Sequence, residues 1–319
     1  MSVVAEIKEL KEKHNALILA HYYQDGPIQD IADFCGDSYF LAKKGQESDA
    51  DVILLAGVTF MAESVKILSP EKTVLVPDMK AGCSLVFESP YEKYLQWRKD
   101  NPDAIAMTYI NSSAAVKSIS DVICTSSNAE AIVKKIPKDR KILFGPDKNL
   151  GRFLAHRLNR EMEFWDGTCE VHVLFSHKKL FEIKEEHPDA LVIAHPECSE
   201  AVLQHADVVG STSLLLNTVE TNKDYKKFIV ATETGIFHQM KKLRPEAELI
   251  QAPVTNNCAC NDCPYMKLNN MEKLRDALKT LSPQVTVDEA VRERAATSLQ
   301  RMMDISQGRE VTWPNQFEI

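Results

Sequence analysis

The sequence carries no long basic run. Lys and Arg number 38 against 46 Asp and Glu, a formal net charge of -8. Phosphate backbones are held by clustered cations, so nucleic acid is excluded as the main partner. Equally missing is any apolar run near the roughly 18 to 20 residues of a membrane helix. The first residues, MSVVAEIKELKEKHN, read as an amphipathic helix of mixed charge. They lack the basic start and apolar core of a signal peptide, and a cytoplasmic protein is expected. In that compartment the eight cysteines are not by default a disulfide framework. What is present is ordinary globular material, 44% hydrophobic and 26% charged over 319 residues.

That material is repeated. Residues 17 to 38 (LILAHYYQDGPIQDIADFCGDS), 105 to 127 (IAMTYINSSAAVKSISDVICTSS) and 191 to 213 (LVIAHPECSEAVLQHADVVGSTS) align without a gap. Each opens on four residues suited to a buried strand. A triplet follows: His21-Tyr22-Tyr23, Tyr109-Ile110-Asn111, His195-Pro196-Glu197. An Asp then precedes a second apolar run, at Asp33, Asp121 and Asp207. A hydroxyl closes each copy 17 residues after the triplet begins, at Ser38, Ser126 and Thr212. Further strands lead to a cysteine, Cys83, Cys169 and Cys263, which lie 62, 60 and 68 residues past the triplet.

The pattern predicts an α/β protein of three β-α-β-α-β copies, each about 86 residues long by the offsets of 88 and 86. Alternating strands and helices give small parallel sheets covered by helices. The expected division is 1–88, 89–174, and 175–319 with C-terminal helices and a tail. In open parallel sheets ligands sit beyond the carboxyl ends of the strands, where each copy places its triplet, hydroxyl and cysteine. A pseudo-threefold arrangement would bring the three cysteines together. Three thiolates with no fourth protein ligand suit a catalytic zinc or a [4Fe-4S] cluster with one open iron.

Other groups have plainer readings. Cys35 and Cys124 sit in apolar runs and suit the core; Cys198 suits packing. In CACNDCP, Cys258, Cys260 and Cys263 are all ligands, or two form a labile redox pair. Ser38, Ser126 and Thr212 suit helix caps whose neighbouring N–H groups take an anion. The three Asp residues suit structural turn chemistry. Trp165, Trp313, Met61 and Met79 suit packing. Glu197, beside His195, is a candidate general base, and Tyr23 and Tyr109 offer phenols for proton transfer.

Taken together, HYYQ, IADFCGDS, YINSSAAVK, TSSNA, WDGTC, HPEC, GSTS and CNDCP resemble the quinolinate synthase (NadA) family from residue 17 to about 270. The resemblance implies three αβα domains around a pseudo-threefold axis and a [4Fe-4S] cluster on Cys83, Cys169 and Cys263. Many members read CxxCxxCP where this chain has CACNDCP, which puts in doubt a pairing of Cys258 with Cys260. It further implies condensation of iminoaspartate with dihydroxyacetone phosphate to quinolinate, for NAD synthesis, with an aspartate-oxidising enzyme as the source of iminoaspartate. The residues then implied at the substrate are His21, Ser38, Tyr109, Ile110, Asn111, Ser126, His195, Pro196, Glu197 and Thr212, with Glu197, His195 and Tyr23 catalytic. A zinc hydrolase and an iron-sulfur sensor are the competing readings; a sensor needs an effector domain or a basic surface, and neither is evident.

Overall fold

A computed structural model describes residues 2–255 and 261–317. Among these residues twelve short strands form three four-stranded sheets. The first holds β1 (Ala16–His21), β2 (Phe34–Gly36), β3 (Val52–Ala56) and β4 (Thr73–Leu75). The second holds β5 (Ile105–Tyr109), β6 (Val122–Cys124), β7 (Ile142–Gly145) and β8 (Met162–Phe164). The third holds β9 (Ala190–Ala194), β10 (Val208–Val209), β11 (Lys227–Ala231) and β12 (Glu248–Gln251). All pairings are parallel, and the order is β2-β1-β3-β4 and its equivalents in every sheet. The central strands read as unbroken apolar runs because helices cover both faces; every residue of β3, β5 and β9 is buried.

Each copy therefore has one strand more than the β-α-β-α-β reading. The extra strands, β2, β6 and β10, span two or three residues, too few to show a period. The Asp ahead of each fastens it to its neighbour. Asp33 accepts from the Ile18 N–H at 2.8 Å, Asp121 from Ala106 at 2.7 Å, and Asp207 from Val192 at 2.8 Å. A cation from the helix ahead of the first strand of each sheet pairs with each carboxylate: Lys11, Arg98 and Lys184. The structural reading of these residues holds, but through a cross-strand tie rather than a turn.

The first two sheets share one large apolar cluster, to which the helix Glu289–Ser306 adds Ala295, Leu299, Met302, Met303 and Ile305. The helices Val3–Lys13 and Met271–Thr280 pack together on the first sheet through Ile7, Leu274 and Leu278. The third sheet keeps its own clusters on its two faces. It meets the first copy through Tyr22 and Tyr23, which pack against one of these clusters, and through polar contacts, including Ser213 to Asp37 (2.7 Å) and Gln29 to the Gly235 carbonyl (2.8 Å). Met79, expected to pack, is half exposed, whereas Met61 is buried. Among the described residues no helix is long and apolar enough to cross a membrane.

Candidate active site and metal centre

The strand order reverses between the first and third strands of every sheet, and the site lies beyond their carboxyl ends. One cavity of about 680 Å³, mouth included, collects residues from all three copies. His21, Tyr23 and Ser38 come from the first; Tyr109, Ile110, Asn111 and Ser126 from the second; His195, Glu197 and Thr212 from the third. Pro196 is buried in its turn and does not line the cavity. Cys83, Cys169 and Cys263 all line it as free thiols. Cys124 and Cys198 are buried in the core, and Cys35 is half-buried. Cys258 and Cys260 lie outside the described residues.

Local geometry explains why the triplets turn as they do. His21 Nδ1 accepts the Tyr23 N–H at 3.1 Å, and His195 Nδ1 accepts the Glu197 N–H at 3.4 Å. Each ring closes its own turn, leaving Nε2 for the cavity; that of His195 stands 3.2 Å from Ser126 Oγ. The caps fall one residue earlier than expected in two copies. Asp37 accepts from the Phe40 N–H and Ser211 from the Leu214 N–H. Ser38 and Thr212 are instead the first residues of ten-residue helices, with their hydroxyls not used as caps. Ser126 lies ahead of the helix Ala129–Lys135, whose cap position is Asn128.

At the centre is Glu197, buried to 3% exposure. Its Oε2 accepts from His172 Nδ1 at 2.8 Å and stands 3.4 Å from His195 Nδ1. Its Oε1 is buried and has no hydrogen-bond partner among the described residues. Burial pushes the carboxyl up, but the imidazoles of His172 and His195 outweigh it and hold Glu197 well below the usual carboxylate range. Behind it runs a chain of hydrogen bonds. His172 Nε2 lies 2.9 Å from Thr232 Oγ1, which lies 2.6 Å from the Tyr23 hydroxyl. Burial raises the Tyr23 and Tyr109 phenols well above their ordinary value and lowers His21 to about 3. At neutral pH the site therefore holds protonated phenols, a neutral His21 and an ionised Glu197.

Sequence reasoning did not single out His172, Thr232, Asp147 or Glu233. His172 sits in a short helical turn three residues after Cys169, outside the ungapped block. A signal existed for the last two: Asp147 and Glu233 each fall 38 residues after the start of their triplets.

The thiols suit a metal. Burial pushes all three up, Cys263 to about 11, so each stays neutral until a metal ion displaces its proton. In addition, Cys169, His172 and Glu197 bring one donor atom each within 4.8 Å of one another, a grouping that could hold a metal ion.

Comparison with known proteins follows the same lines. Residues 5–304 match the family described as "NadA: Quinolinate synthetase A protein". A quinolinate synthase of Trichodesmium erythraeum (strain IMS101) is 51% identical over 300 residues, covering 94% of this chain and 93% of that protein. One of Prochlorococcus marinus (strain MIT 9303) is 52% identical over 306 residues, covering 96% and 92%. One of Nostoc punctiforme (strain ATCC 29133 / PCC 73102) is 51% identical over 306 residues, covering 96% and 94%. The chain belongs to the quinolinate synthetase A (NadA) family.

Proposed function

We propose that this chain is a quinolinate synthase, joining iminoaspartate to dihydroxyacetone phosphate with loss of phosphate and water. The observation that carries the reading is the single cavity in which one cysteine from each copy faces a buried, ionised Glu197 with a free oxygen. Three neutral thiols on one cavity fit a [4Fe-4S] cluster held by Cys83, Cys169 and Cys263. When bound, such a cluster supplies a Lewis acid at the iron that lacks a cysteine.

The protein's own groups supply the proton traffic. Glu197 Oε1 makes no hydrogen bond among the described residues and can take a proton from a substrate carbon or nitrogen. His172 and Thr232 connect the other carboxylate oxygen to the Tyr23 phenol. Tyr23, held protonated by burial, can donate to a departing hydroxyl and be refilled through Thr232 and His172. His195, set between the Glu197 N–H and Ser126, orients the turn that carries Glu197. Ser38 and Thr212, each opening a helix, suit the substrate carboxylates and phosphate, because helix N-termini favour anions. Tyr109, Ile110 and Asn111 wall the second copy's side and suit hydrogen bonding and contact with the growing ring. We place the protein in the cytoplasm, supplied with unstable iminoaspartate by an enzyme that oxidises aspartate.

The test is an anaerobic assay for quinolinate with both substrates, on the unmodified chain and on Glu197→Gln. The unmodified chain forms quinolinate. The variant keeps its iron and loses activity by about 100-fold or more, the scale of a lost general base. Absence of quinolinate from the iron-loaded chain, or full activity in Glu197→Gln, would contradict the reading. Zinc in place of iron would favour a mononuclear centre on Cys169, His172 and Glu197.

A further inference from the structure

Two buried carboxylates are not accounted for by the proton chain. Asp147 and Glu233 are both fully buried. Each lies two residues past the third strand of its sheet, β7 or β11. Asp147 Oδ2 accepts the Cys169 N–H at 3.1 Å, and Glu233 Oε1 accepts the Cys263 N–H at 3.3 Å. The same position therefore holds the backbone of the copy's own cysteine in two of the three copies. In the first copy the equivalent residue is Thr59, 38 residues after His21; its N–H donates to the Ala81 carbonyl.

The second oxygen of each carboxylate is also engaged. Asp147 Oδ1 accepts from the Leu150 N–H at 2.8 Å, capping the helix Lys148–Leu158. Glu233 Oε2 accepts from the Gly235 N–H at 2.7 Å. Lys267 adds a charge at 3.1 Å from Glu233 Oε1, and its ammonium also donates to the Tyr23 carbonyl at 3.0 Å. The fit there is close: a Cβ at Gly235 would lie 2.7 Å from the Tyr23 carbonyl carbon. Both oxygens accept from backbone N–H groups, which a carboxamide cannot reproduce. Its NH₂ would face one of those donors.

We infer that Asp147 and Glu233 are positioning residues that fix the Cys169 and Cys263 backbones, so that two of the three thiols are preset by carboxylates at equivalent places in the repeat. The inference rests on the cluster reading for its purpose, not for its geometry. Outer-shell partners of metal ligands act in this manner, and losing one costs about 10- to 100-fold in metal affinity or activity.

The test uses Asp147→Asn, Glu233→Gln and, as control, Thr59→Val, whose backbone bond survives. Iron-free protein is alkylated and each cysteine is followed separately by mass spectrometry. Asp147→Asn should speed labelling of Cys169 alone, and Glu233→Gln that of Cys263 alone, each by about tenfold, the lower end of the outer-shell range. On the iron-loaded proteins, chelator should strip iron faster from these two than from Thr59→Val. Equal labelling rates in all proteins, or equal acceleration at every cysteine, would overturn the inference. Should Asp147→Asn fail to fold for loss of its helix cap, Glu233→Gln decides alone. An unmodified chain that takes up no iron would sink the cluster reading, while the labelling rates would still decide this one.

Discussion

Single side chains set the protonation state of the cavity, and burial is the dominant cause. His21 is lowered to about 3 from an ordinary 6.5, chiefly by burial and then by His195, with Glu197 opposing. The folded state thus binds no proton at His21 across a range in which the unfolded chain does. The sign follows: His21 costs nothing above pH 6.5 and costs stability progressively as pH falls from there toward 3. The slope is about 1.4 kcal/mol per pH unit for such a group. Glu233, raised to about 7 by burial against Lys267, acts with the opposite sign, so the contribution of His21 has to be isolated by substitution. His21→Gln should lose less stability between pH 7 and pH 5 than the unmodified chain, read as the shift in urea midpoint. Identical shifts would show that His21 is protonated in the folded state. At this scale the sequence was readable where the copies repeat in register. The triplets and hydroxyls fall within an ungapped block, and all but Tyr22 and Pro196 line the cavity. His172 and Thr232 were not readable, because their importance is in contacts across copies: Tyr23 from the first, His172 from the second and Glu197 from the third.

Among elements, the recurring device is the Asp that ties the second strand to the first. The three ties are alike in geometry and unlike in burial. Arg98 and Asp121 have side chains only 1% and 10% exposed, whereas Lys184 and Asp207 are 31% and 45% exposed. Removing one partner of a buried pair strands the other charge and costs about 3–5 kcal/mol. An exposed pair leaves mainly a hydrogen bond, worth about 1 kcal/mol. Asp121→Ala should therefore destabilise far more than Asp207→Ala, with Asp33→Ala between them, as measured by chemical denaturation. Equal losses would mean that the backbone tie, and not the ion pair, carries the effect. The repeated Asp was visible in the sequence. Its target was not, since the strand it braces is three residues long or less and carries no periodic signal. The hydroxyls taken for caps show the same limit: Asp37 and Ser211 occupy that role one residue earlier, a shift within ordinary boundary uncertainty.

Over the whole molecule the three sheets are joined unequally. The first two share a core reinforced by the helix Glu289–Ser306, while the third keeps its own clusters and meets the first through Tyr22 and Tyr23 and through hydrogen bonds such as His238 to Asp30 at 2.8 Å. The cavity lies where these units meet, and its lining draws on all of them at once. Parallel three-layer units were legible from alternating strand and helix signals. That the C-terminal helices brace the first two sheets was not, because an amphipathic helix shows which face it buries but not against what.

The most direct measurement is iron and acid-labile sulfide, counted after anaerobic reconstitution of single Cys→Ala variants. Replacing Cys83, Cys169 or Cys263 should each abolish the brown absorbance and most of the iron, whereas Cys35→Ala and Cys198→Ala should leave both intact. Full iron and sulfide in any one of the first three variants would contradict a shared cluster drawn from all three repeats.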